Sequence, residues 1–355
     1  MVLWPRVGNP CGARTEVESR DPMTLREALD QGILLLEKAT VPSPRITAEV
    51  LLMHVAHCNR AHLYAHPERE LTSSEWAQYG RCLSERLQGK PTQYITGHQE
   101  FWGMDFLVNP AVLIPRPETE LVVEVSLDLA RRNFGPAGDC HIADVGTGSG
   151  CIAVALASEL PHARIYALDR SPEALETARQ NAKRLGVEAR ITFLLTDLLE
   201  VAGSRKPAGE QRAASGEWNG QQEVGNSEEE PFTEAPLAEQ RVPGSGSMHL
   251  PKLQIVVSNP PYVAERDRDN LEREVREFEP QSALFAGESG LDVYDKLIPQ
   301  AAQVMGAGGY LVLELGYDSQ EHVRSLLNTP EWDEVRWLPD LAGIVRVVSA
   351  QRTRE

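Results

Sequence analysis

Between Thr24 and about Leu87, apolar residues recur at intervals of three and four positions, which is the spacing of amphipathic helices. Prolines interrupt this pattern after the first helix, and a second helix is predicted from about Ile46 to His57. Thr72 and Glu75 have the spacing of a capping box, which predicts the start of a third helix ending near Leu87. The segment is therefore a small helical bundle, and it serves either as a stability module or as a substrate-docking domain.

The pattern changes between Gln99 and Val108, where aromatic and apolar residues around a glycine predict a short hairpin. The irregular segment Leu113–Glu120 follows and opens a helix that runs to about Arg132. Thr119 or Glu118 at the start of this helix fits the preferences for N-terminal capping and for the helix dipole.

Farther along the chain, short apolar strands alternate with helical segments. Strands are predicted at Ile142–Val145, Arg164–Leu168, Ile191–Leu195, Leu253–Ser258 and Tyr310–Glu314. Helices are predicted at Cys151–Glu159 and Pro172–Leu185. This alternation predicts an α/β fold, with a mostly parallel sheet and helices on both faces. Two further strands, Glu334–Leu338 and Ile344–Val348, are predicted to form an antiparallel hairpin at the sheet edge.

Two segments lack this patterning. Residues 1–22 mix basic and acidic side chains, unlike a transit peptide, and are predicted to be a disordered tail. Residues 201–250 carry eight glutamates against four basic residues and too few apolar residues for a core, so we predict a disordered insertion. It separates a short helix expected near Leu198 from the strand that begins at Leu253. This position is at the amino ends of the strands, away from the expected ligand crevice.

Charge and cysteine usage narrow the classes of function. The 355 residues are enough for two domains, and their net charge of -17 disfavours direct binding to nucleic acid. A protein partner or a small substrate suits such an acidic chain better. The five scattered cysteines and nine histidines show no metal-ligand spacing, so we expect free thiols, no metal and a cytoplasmic location. No apolar stretch approaches the length of a membrane span, so we expect no membrane association. We also expect the protein to be a monomer.

A glycine-rich turn, Asp144–Gly150, lies between a predicted strand and a predicted helix. Glycines there permit a tight turn and close approach of the backbone to a ligand. Alone, the segment also fits a dinucleotide site or a plain strand-to-helix turn. The spacing G-x-G-x-G favours S-adenosylmethionine, because that ligand has no pyrophosphate and the loop cradles its amino acid part instead. The predicted cofactor contacts in this turn are Gly146, Thr147, Gly148, Ser149 and Gly150.

Acidic residues end the next two predicted strands. Asp169 is placed to accept hydrogen bonds from both ribose hydroxyls, although it also fits the N-cap of the helix that begins at Pro172. Asp197 is placed to accept the adenine amino group, and Leu198 to cover the ring. A solvated carboxylate at a strand end is the alternative for Asp197. The order of glycine turn, Asp169 and Asp197 strengthens each assignment.

The segment Ser258–Tyr262, which reads SNPPY, directly follows an apolar strand and carries the most specific chemistry. An amide nitrogen is a poor nucleophile, because its lone pair is delocalised into the carbonyl. If the Asn259 side-chain oxygen and the Pro260 carbonyl each accept one N–H, the nitrogen is oriented and becomes more electron-rich. Pro260 and Pro261 hold these acceptors rigidly, and Tyr262 stacks on the planar substrate group. Much of the rate then comes from positioning.

From about Thr24 to Val348, apart from the insertion, the chain resembles the HemK/PrmC family of release factor glutamine methyltransferases. The resemblance rests on five segments: Gly97–Gly103, Leu113–Glu120, Asp144–Gly150, Asn259–Tyr262, and Phe278–Pro280 followed by Ala283-Leu284. It implies a helical domain over residues 23–96, a linking hairpin over 97–112 and a Rossmann-like seven-stranded methyltransferase domain over 113–355.

The resemblance also implies the substrate: the glutamine of the Gly-Gly-Gln motif in class 1 peptide chain release factors, methylated at N5. By residue match, Gly146–Gly150, Asp169, Leu198 and Asn259 contact the cofactor, and Asn259–Tyr262 hold the glutamine. Leu198 stands where some members carry an aromatic residue, so it covers adenine without stacking. The 201–250 insertion is not a usual feature of the family.

Three other functions remain open at this point. An amino-group methyltransferase acting on adenine or guanine in nucleic acid uses the same Asn-Pro-Pro-aromatic device, although the acidic charge argues against it. A non-catalytic scaffold is disfavoured by the intact Asn259. A nicotinamide oxidoreductase fits the glycine turn alone.

Overall fold

In the computed structural model, the structure describes residues 23–135, 139–200 and 250–354. The predictions of a disordered tail over 1–22 and of a disordered insertion over 201–250 therefore lie outside the described residues, Leu250 excepted. The chain divides into two compact units. The first comprises Met1–Gln99, Val108–Pro110 and Asn270–Glu279, and the second comprises Glu100–Leu107, Ala111–Asp269 and Pro280–Glu355. The domain boundaries given above stay a prediction.

The α-helices and strands of the described residues follow in chain order, and short 3-10 helices lie between them at Pro117–Thr119, Glu188–Arg190 and Glu265–Asn270. The helices are α1 Leu25–Lys38, α2 Pro44–Ala56, α3 Arg60–Ala65, α4 Ser73–Leu87, α5 Thr92–Thr96, α6 Glu120–Asn133, α7 Cys151–Glu159, α8 Pro172–Arg184, α9 Arg273–Phe278, α10 Gln281–Leu284, α11 Asp292–Val304 and α12 Gln320–Leu327. The strands are β1 His98–Phe101, β2 Met104–Leu107, β3 His141–Val145, β4 Arg164–Asp169, β5 Ile191–Leu195, β6 Leu253–Ser258, β7 Met305–Glu314, β8 Trp332–Pro339 and β9 Val345–Arg352. None of these helices has the length and apolar character that crossing a membrane requires.

The first unit is a bundle built on α1, α2 and α4. Its core consists of apolar side chains from one face of each helix, and the fully buried Tyr79 donates a hydrogen bond to the Ala48 carbonyl. Thr72 and Glu75 form the predicted capping box, and Thr24 forms a second one with Glu27. These reciprocal bonds satisfy backbone N–H groups at both helix starts and so fix where α1 and α4 begin.

The second unit contains a seven-stranded sheet in the order β5-β4-β3-β6-β7-β9-β8. The first five strands run parallel, while β9 is antiparallel to both β7 and β8, as the sequence predicts for the last two strands. Successive residues of a strand point to opposite faces. On β7, Tyr310 and Val312 accordingly belong to the core that includes α6 and α7, whereas Leu311 and Leu313 belong to the core that includes α11. The predicted α/β class is confirmed.

The strand order sets the place of a ligand. Strands β3 and β6 are neighbours, and the chain winds outward from them in opposite directions. In an open α/β sheet, ligands bind outside the carboxyl ends of the strands at such a switch point. Residues that directly follow β3, β4, β5 and β6 are therefore brought to one edge of the sheet.

Several elements differ from the sequence predictions. Strand β7 begins at Met305, five positions before the predicted start. The sequence prediction missed this first part because three of its residues are glycines, which do not show a strand pattern. Leu198 and Leu199 form a turn, Leu198 itself has a φ of 50°, and Glu200 has 3-10 helical conformation. The short helix expected near Leu198 stays a prediction, because the residues after Glu200 lie outside the described part of the chain. Thr119 occupies the N-cap position of α6, but its side chain makes no capping bond. Its hydroxyl is engaged elsewhere, as described below.

Candidate active site

The glycine turn after β3 uses its glycines in two ways. Gly146, Gly148 and Gly150 have φ values of 73°, 55° and 80°, a region that favours glycine. A Cβ atom on Gly150 would lie 3.0 Å from the Ala178 Cβ, so this position allows α8 to pack closely. A Cβ on Gly146 would meet no atom within 4 Å, and one on Gly148 only a backbone oxygen at 4.0 Å. Both positions line a pocket, so their open side faces the space that a ligand would fill.

A buried carboxylate beneath the turn anchors it. Asp144 is fully buried, and its Oδ2 accepts hydrogen bonds from the Thr147 hydroxyl at 2.6 Å and from the Ala153 N–H at 3.1 Å. Its Oδ1 has no hydrogen-bond partner among the described residues. Burial raises the pKa of Asp144 to about 7. The sequence analysis counted Asp144 in the motif but gave it no role, although an acid at the end of an apolar strand was the available signal.

Asp169 stands at the end of β4 and lines the same pocket. Its carboxylate accepts hydrogen bonds from the Gly148 N–H at 2.9 Å and from the Ser171 N–H at 2.9 Å. The N-cap of α8 is Ser171, whose hydroxyl accepts from the Ala174 N–H, so the N-cap interpretation of Asp169 is wrong. Asp169 thus ties the glycine turn to the end of β4 while remaining half-buried at the pocket wall.

The predicted adenine contacts, Asp197 and Leu198, follow β5 and line the same pocket. Asp197 is exposed and Leu198 is half-buried, with its φ in the left-handed region. The neighbouring Leu199 N–H donates to the Gln300 side chain on α11 at 3.0 Å. Three basic residues that the sequence analysis did not place in the cofactor site also line the pocket: Arg116, Arg170 and Lys296.

Asn259 follows β6 directly and lines the pocket together with Pro261. Its Nδ2 donates a hydrogen bond to the Thr119 hydroxyl oxygen at 3.0 Å. The preceding Ser258 hydroxyl donates to the Val145 carbonyl at 2.6 Å, which ties the end of β6 to the end of β3 just before the glycine turn. The side chain with the predicted acceptor and the predicted cofactor loop thus share one pocket.

Pro260 and Tyr262 are placed differently. Pro260 is buried, and neither residue lines the pocket. The Tyr262 ring packs against Gly316, and a Cβ atom on Gly316 would lie 2.9 Å from the Tyr262 Cδ2. The Tyr262 hydroxyl donates to Glu314 Oε1 at 3.4 Å. Burial raises the pKa of Tyr262. The stacking of Tyr262 on a substrate therefore stays a prediction.

Glu314, at the end of β7, was missed by the sequence analysis. It is buried, with 3% of its surface exposed, and its Oε2 accepts a hydrogen bond from the Thr119 hydroxyl at 2.7 Å. Burial raises the pKa of Glu314 to about 7, against the lowering effect of the bonds from Thr119 and Tyr262. The Thr119 side chain is turned toward these partners, since its proton goes to Glu314 and its oxygen accepts from Asn259, and its backbone is already helical, with φ -66° and ψ -19°, so its oxygen does not accept from the N–H groups of α6.

Comparison with known proteins gives the class and then the family. Family models match residues 27–97 as a PrmC N-terminal domain and residues 137–207 as a methyltransferase domain. The release factor glutamine methyltransferase of Koribacter versatilis is 41% identical over 93% of this chain and 99% of its own length. That of Moorella thermoacetica is 38% identical over 94% of this chain and 100% of its own length. Among solved structures, the catalytic domain of hMettl16 in complex with the MAT2A 3′UTR hairpin 6 is 13% identical, covers 79% of this chain and 82% of that chain, and has a TM-score of 0.46.

The chain is a methyltransferase, and its methyl donor is S-adenosylmethionine. It belongs to the release factor glutamine methyltransferase family, because relatives above 30% identity match it over nearly the full length of both chains. The resemblance stated from the sequence is therefore confirmed. The nicotinamide oxidoreductase and non-catalytic alternatives are not supported, and neither is the nucleic acid methyltransferase.

Proposed function

We propose that this protein transfers the methyl group of S-adenosylmethionine to the side-chain nitrogen of the glutamine in the Gly-Gly-Gln motif of class 1 peptide chain release factors. The proposal depends on the position of the Asn259 carboxamide, which lies at the wall of the pocket and donates a hydrogen bond from its nitrogen to Thr119. Its oxygen is then the atom that receives a donor. We further propose that the protein acts in the cytoplasm as a monomer without binding nucleic acid directly.

The pocket fits the proposed cofactor. Gly146 and Gly148 leave open space where any side chain would intrude, and Asp169 holds a carboxylate half-buried at the wall. We assign Gly146–Ser149 to the amino acid part, Asp169 to the ribose, and Asp197 with Leu198 to the adenine. Gly150, which the sequence analysis also placed in the cofactor site, does not line the pocket and packs against α8 instead. When bound, S-adenosylmethionine would supply an electrophilic methyl carbon on a sulfonium, open to attack by a nitrogen lone pair in line with the C–S bond, with the neutral thioether as leaving group.

The residues of the chain act on the substrate amide. We assign one N–H of the amide to the Asn259 Oδ1 at the pocket wall and the other to the Pro260 backbone carbonyl, an assignment that rests on the sequence pattern because Pro260 is buried and does not line the pocket. The two acceptors align the nitrogen and raise its electron density. Pro260 and Pro261 lack N–H groups and restrict φ, so these acceptors are held in place before the substrate arrives. The nitrogen gains a methyl group and loses one proton. That proton passes to water, since no base is assigned to it.

The experiment uses the full-length protein, S-adenosylmethionine labelled on its methyl group, and an unmodified class 1 release factor. Label is expected on the wild-type factor and absent from a factor whose motif glutamine is changed to Ala. Equal label on both factors would reject the glutamine as the acceptor. Label on ribosomal RNA or DNA without label on protein would identify a nucleic acid methyltransferase instead.

A prediction on the cofactor site concerns Asp169. Asp169→Ala removes an acceptor of two backbone N–H bonds and the proposed partner of the ribose, so affinity for S-adenosylmethionine is expected to fall by roughly 10- to 100-fold. Isothermal titration calorimetry measures the change.

Asp340→Ala is the matched control for this prediction. The Asp340 carboxylate likewise accepts two backbone N–H bonds, from Ala342 at 2.8 Å and Ile344 at 3.0 Å, but it does not line the pocket. Cofactor affinity in this variant is expected to equal that of the wild type. Equal losses in the two variants would show that Asp169 acts only through the backbone of its turn.

A further inference from the structure

Three side chains from separate parts of the second unit form a hydrogen-bonded series that ends at the pocket. Asn259 Nδ2 lies 3.0 Å from Thr119 Oγ1, and Thr119 Oγ1 lies 2.7 Å from Glu314 Oε2. Thr119 and Glu314 are 2% and 3% exposed, so water does not compete freely for these bonds. The series connects the residue after β6, the start of α6 and the end of β7.

The direction of every bond in the series follows from the chemistry of the last group. A carboxylate only accepts hydrogen bonds, and a hydroxyl has a single proton to donate. The short contact with Glu314 therefore takes the Thr119 proton. Thr119 can then only accept from Asn259, which must present its –NH2 end to Thr119 and turn its oxygen the other way. The two ends of a carboxamide have nearly the same shape, so packing alone does not select between them.

We propose that Thr119 and Glu314 are positioning residues that fix the orientation of the Asn259 carboxamide, so that the pocket receives a hydrogen-bond acceptor and selects a substrate group that donates N–H. This inference rests on the proposed function, because the –NH2 group of a glutamine side chain is the donor that it selects. Thr119 itself lines the pocket, whereas Glu314 does not and acts on Asn259 only through Thr119. Tyr262 supports the carboxylate by donating to its second oxygen.

Protonation of Glu314 would allow the opposite arrangement. A neutral carboxylic acid can donate to Thr119, which frees the Thr119 proton for the Asn259 oxygen and turns the –NH2 end of Asn259 toward the pocket. Two donors would then face each other, and the substrate amide would not be held. Because the pKa of Glu314 is raised to about 7, this exchange falls in the neutral range. The carboxylate is the active form, so the rate rises with pH.

Other charged and titratable groups also face Glu314. Glu118 raises its pKa further, and Arg346 on β9 lowers it. The remaining groups are Tyr262, Tyr294 on α11 and Cys151 on α7, with Arg116 acting on Tyr262. The tyrosines and the cysteine all have raised pKa values and stay neutral near pH 7. The pKa of Asp144 is also raised to about 7, so both carboxyl groups change charge over the same pH range. The test must therefore separate their effects on the rate.

The test measures kcat and KM for methylation of a release factor by full-length variants between pH 5.5 and 8.5. Thr119→Val keeps the shape but removes the hydroxyl, and kcat is expected to fall by about 10- to 100-fold with KM for S-adenosylmethionine changed little. Thr119→Ser retains the hydroxyl and should recover most of the rate. Wild-type kcat should be roughly tenfold lower at pH 6 than at pH 8. Glu314→Gln should lower kcat and remove this acid limb, because an amide can bond Thr119 in either direction and does not titrate.

Two controls make the outcomes decisive. Thr177→Val alters a buried threonine on α8 that does not line the pocket and whose hydroxyl donates to the Glu173 carbonyl oxygen at 3.0 Å, and its kcat should match the wild type. The unfolding midpoint shows whether each variant is folded, and calorimetry shows whether it still binds S-adenosylmethionine. A folded Thr119→Val with the wild-type kcat, or a Glu314→Gln with an unchanged acid limb, would overturn the inference. A wild-type protein that fails to label the glutamine would instead reject the proposed function.

Discussion

Replacing Asn259 with Ala is expected to lower the rate of methyl transfer by about 10³-fold or more, with the fold retained. The substitution removes the proposed acceptor for one substrate N–H, and with it the alignment of a nitrogen that is a weak nucleophile without such help. It also leaves the Thr119 hydroxyl oxygen without the N–H that it now accepts. Asn259 is half-buried at a pocket wall rather than in the core, so little packing is lost.

Single-turnover transfer of labelled methyl to a release factor measures this rate directly. Asn133→Ala serves as the control, since Asn133 also donates through its Nδ2, here to the Leu129 carbonyl at 2.9 Å, and does not line the pocket. Its rate should equal that of the wild type. If Asn259→Ala, folded and saturated with cofactor, transferred methyl at the wild-type rate, the carboxamide would have no part in the reaction.

The sequence predicts the site to the extent that the site depends on local backbone geometry. Residues that directly follow parallel strands meet at one edge of the sheet. Asp169 and Asn259 could therefore be placed in one pocket from the strand pattern alone, and both line it. The glycine turn was equally accessible, because its position between β3 and α7 follows from the alternation of apolar strands and helices.

Side-chain contacts between segments far apart in the chain could not be predicted from the sequence pattern. Thr119 bonds Asn259 across 140 positions and Glu314 across 195. From the sequence, a threonine beside a helix start is a normal capping residue, and nothing local shows that a buried carboxylate will take its proton. Tyr262 shows the same limit. An aromatic residue next to a substrate segment suggests stacking, but in the fold its hydroxyl reaches Glu314 and its ring packs on Gly316.

Helix α11 marks a different kind of omission, because its signal was present in the sequence. Tyr294, Leu297, Ile298 and Ala301 have helical spacing and are all buried. Pro299 lies inside the helix on an exposed face, and a proline within a pattern normally argues for a helix end. The apolar face of α11 lies against the sheet and outweighs the loss of one backbone bond at Pro299.

The second large effect is expected from a substitution at Gly290, which packs against the backbone directly after the substrate segment Asn259–Tyr262. A Cβ atom at this position would lie 2.5 Å from the Tyr262 carbonyl oxygen and 2.9 Å from the Ala264 N. These are backbone atoms of the chain that continues from Asn259, so they cannot move away as the end of a flexible side chain would. The φ of 79° adds strain for any residue with a Cβ. Gly290→Ala is therefore expected to lower the free energy of unfolding by about 2–5 kcal/mol.

Activity should fall together with stability in Gly290→Ala, because relief of the clash requires the segment after Asn259 to shift, and a displacement of about 1 Å can cost roughly 100-fold in rate. Gly343→Ala separates strain from collision. Its φ of 81° is nearly the same, but a Cβ there would meet no atom within 4 Å, so only the backbone strain of about 1–2 kcal/mol should appear, with activity retained. Urea unfolding and the methyl transfer rate of both variants measure the difference. Equal losses of stability in the two variants, with activity kept in both, would show that the contact between Gly290 and Tyr262 does not hold the substrate segment in place.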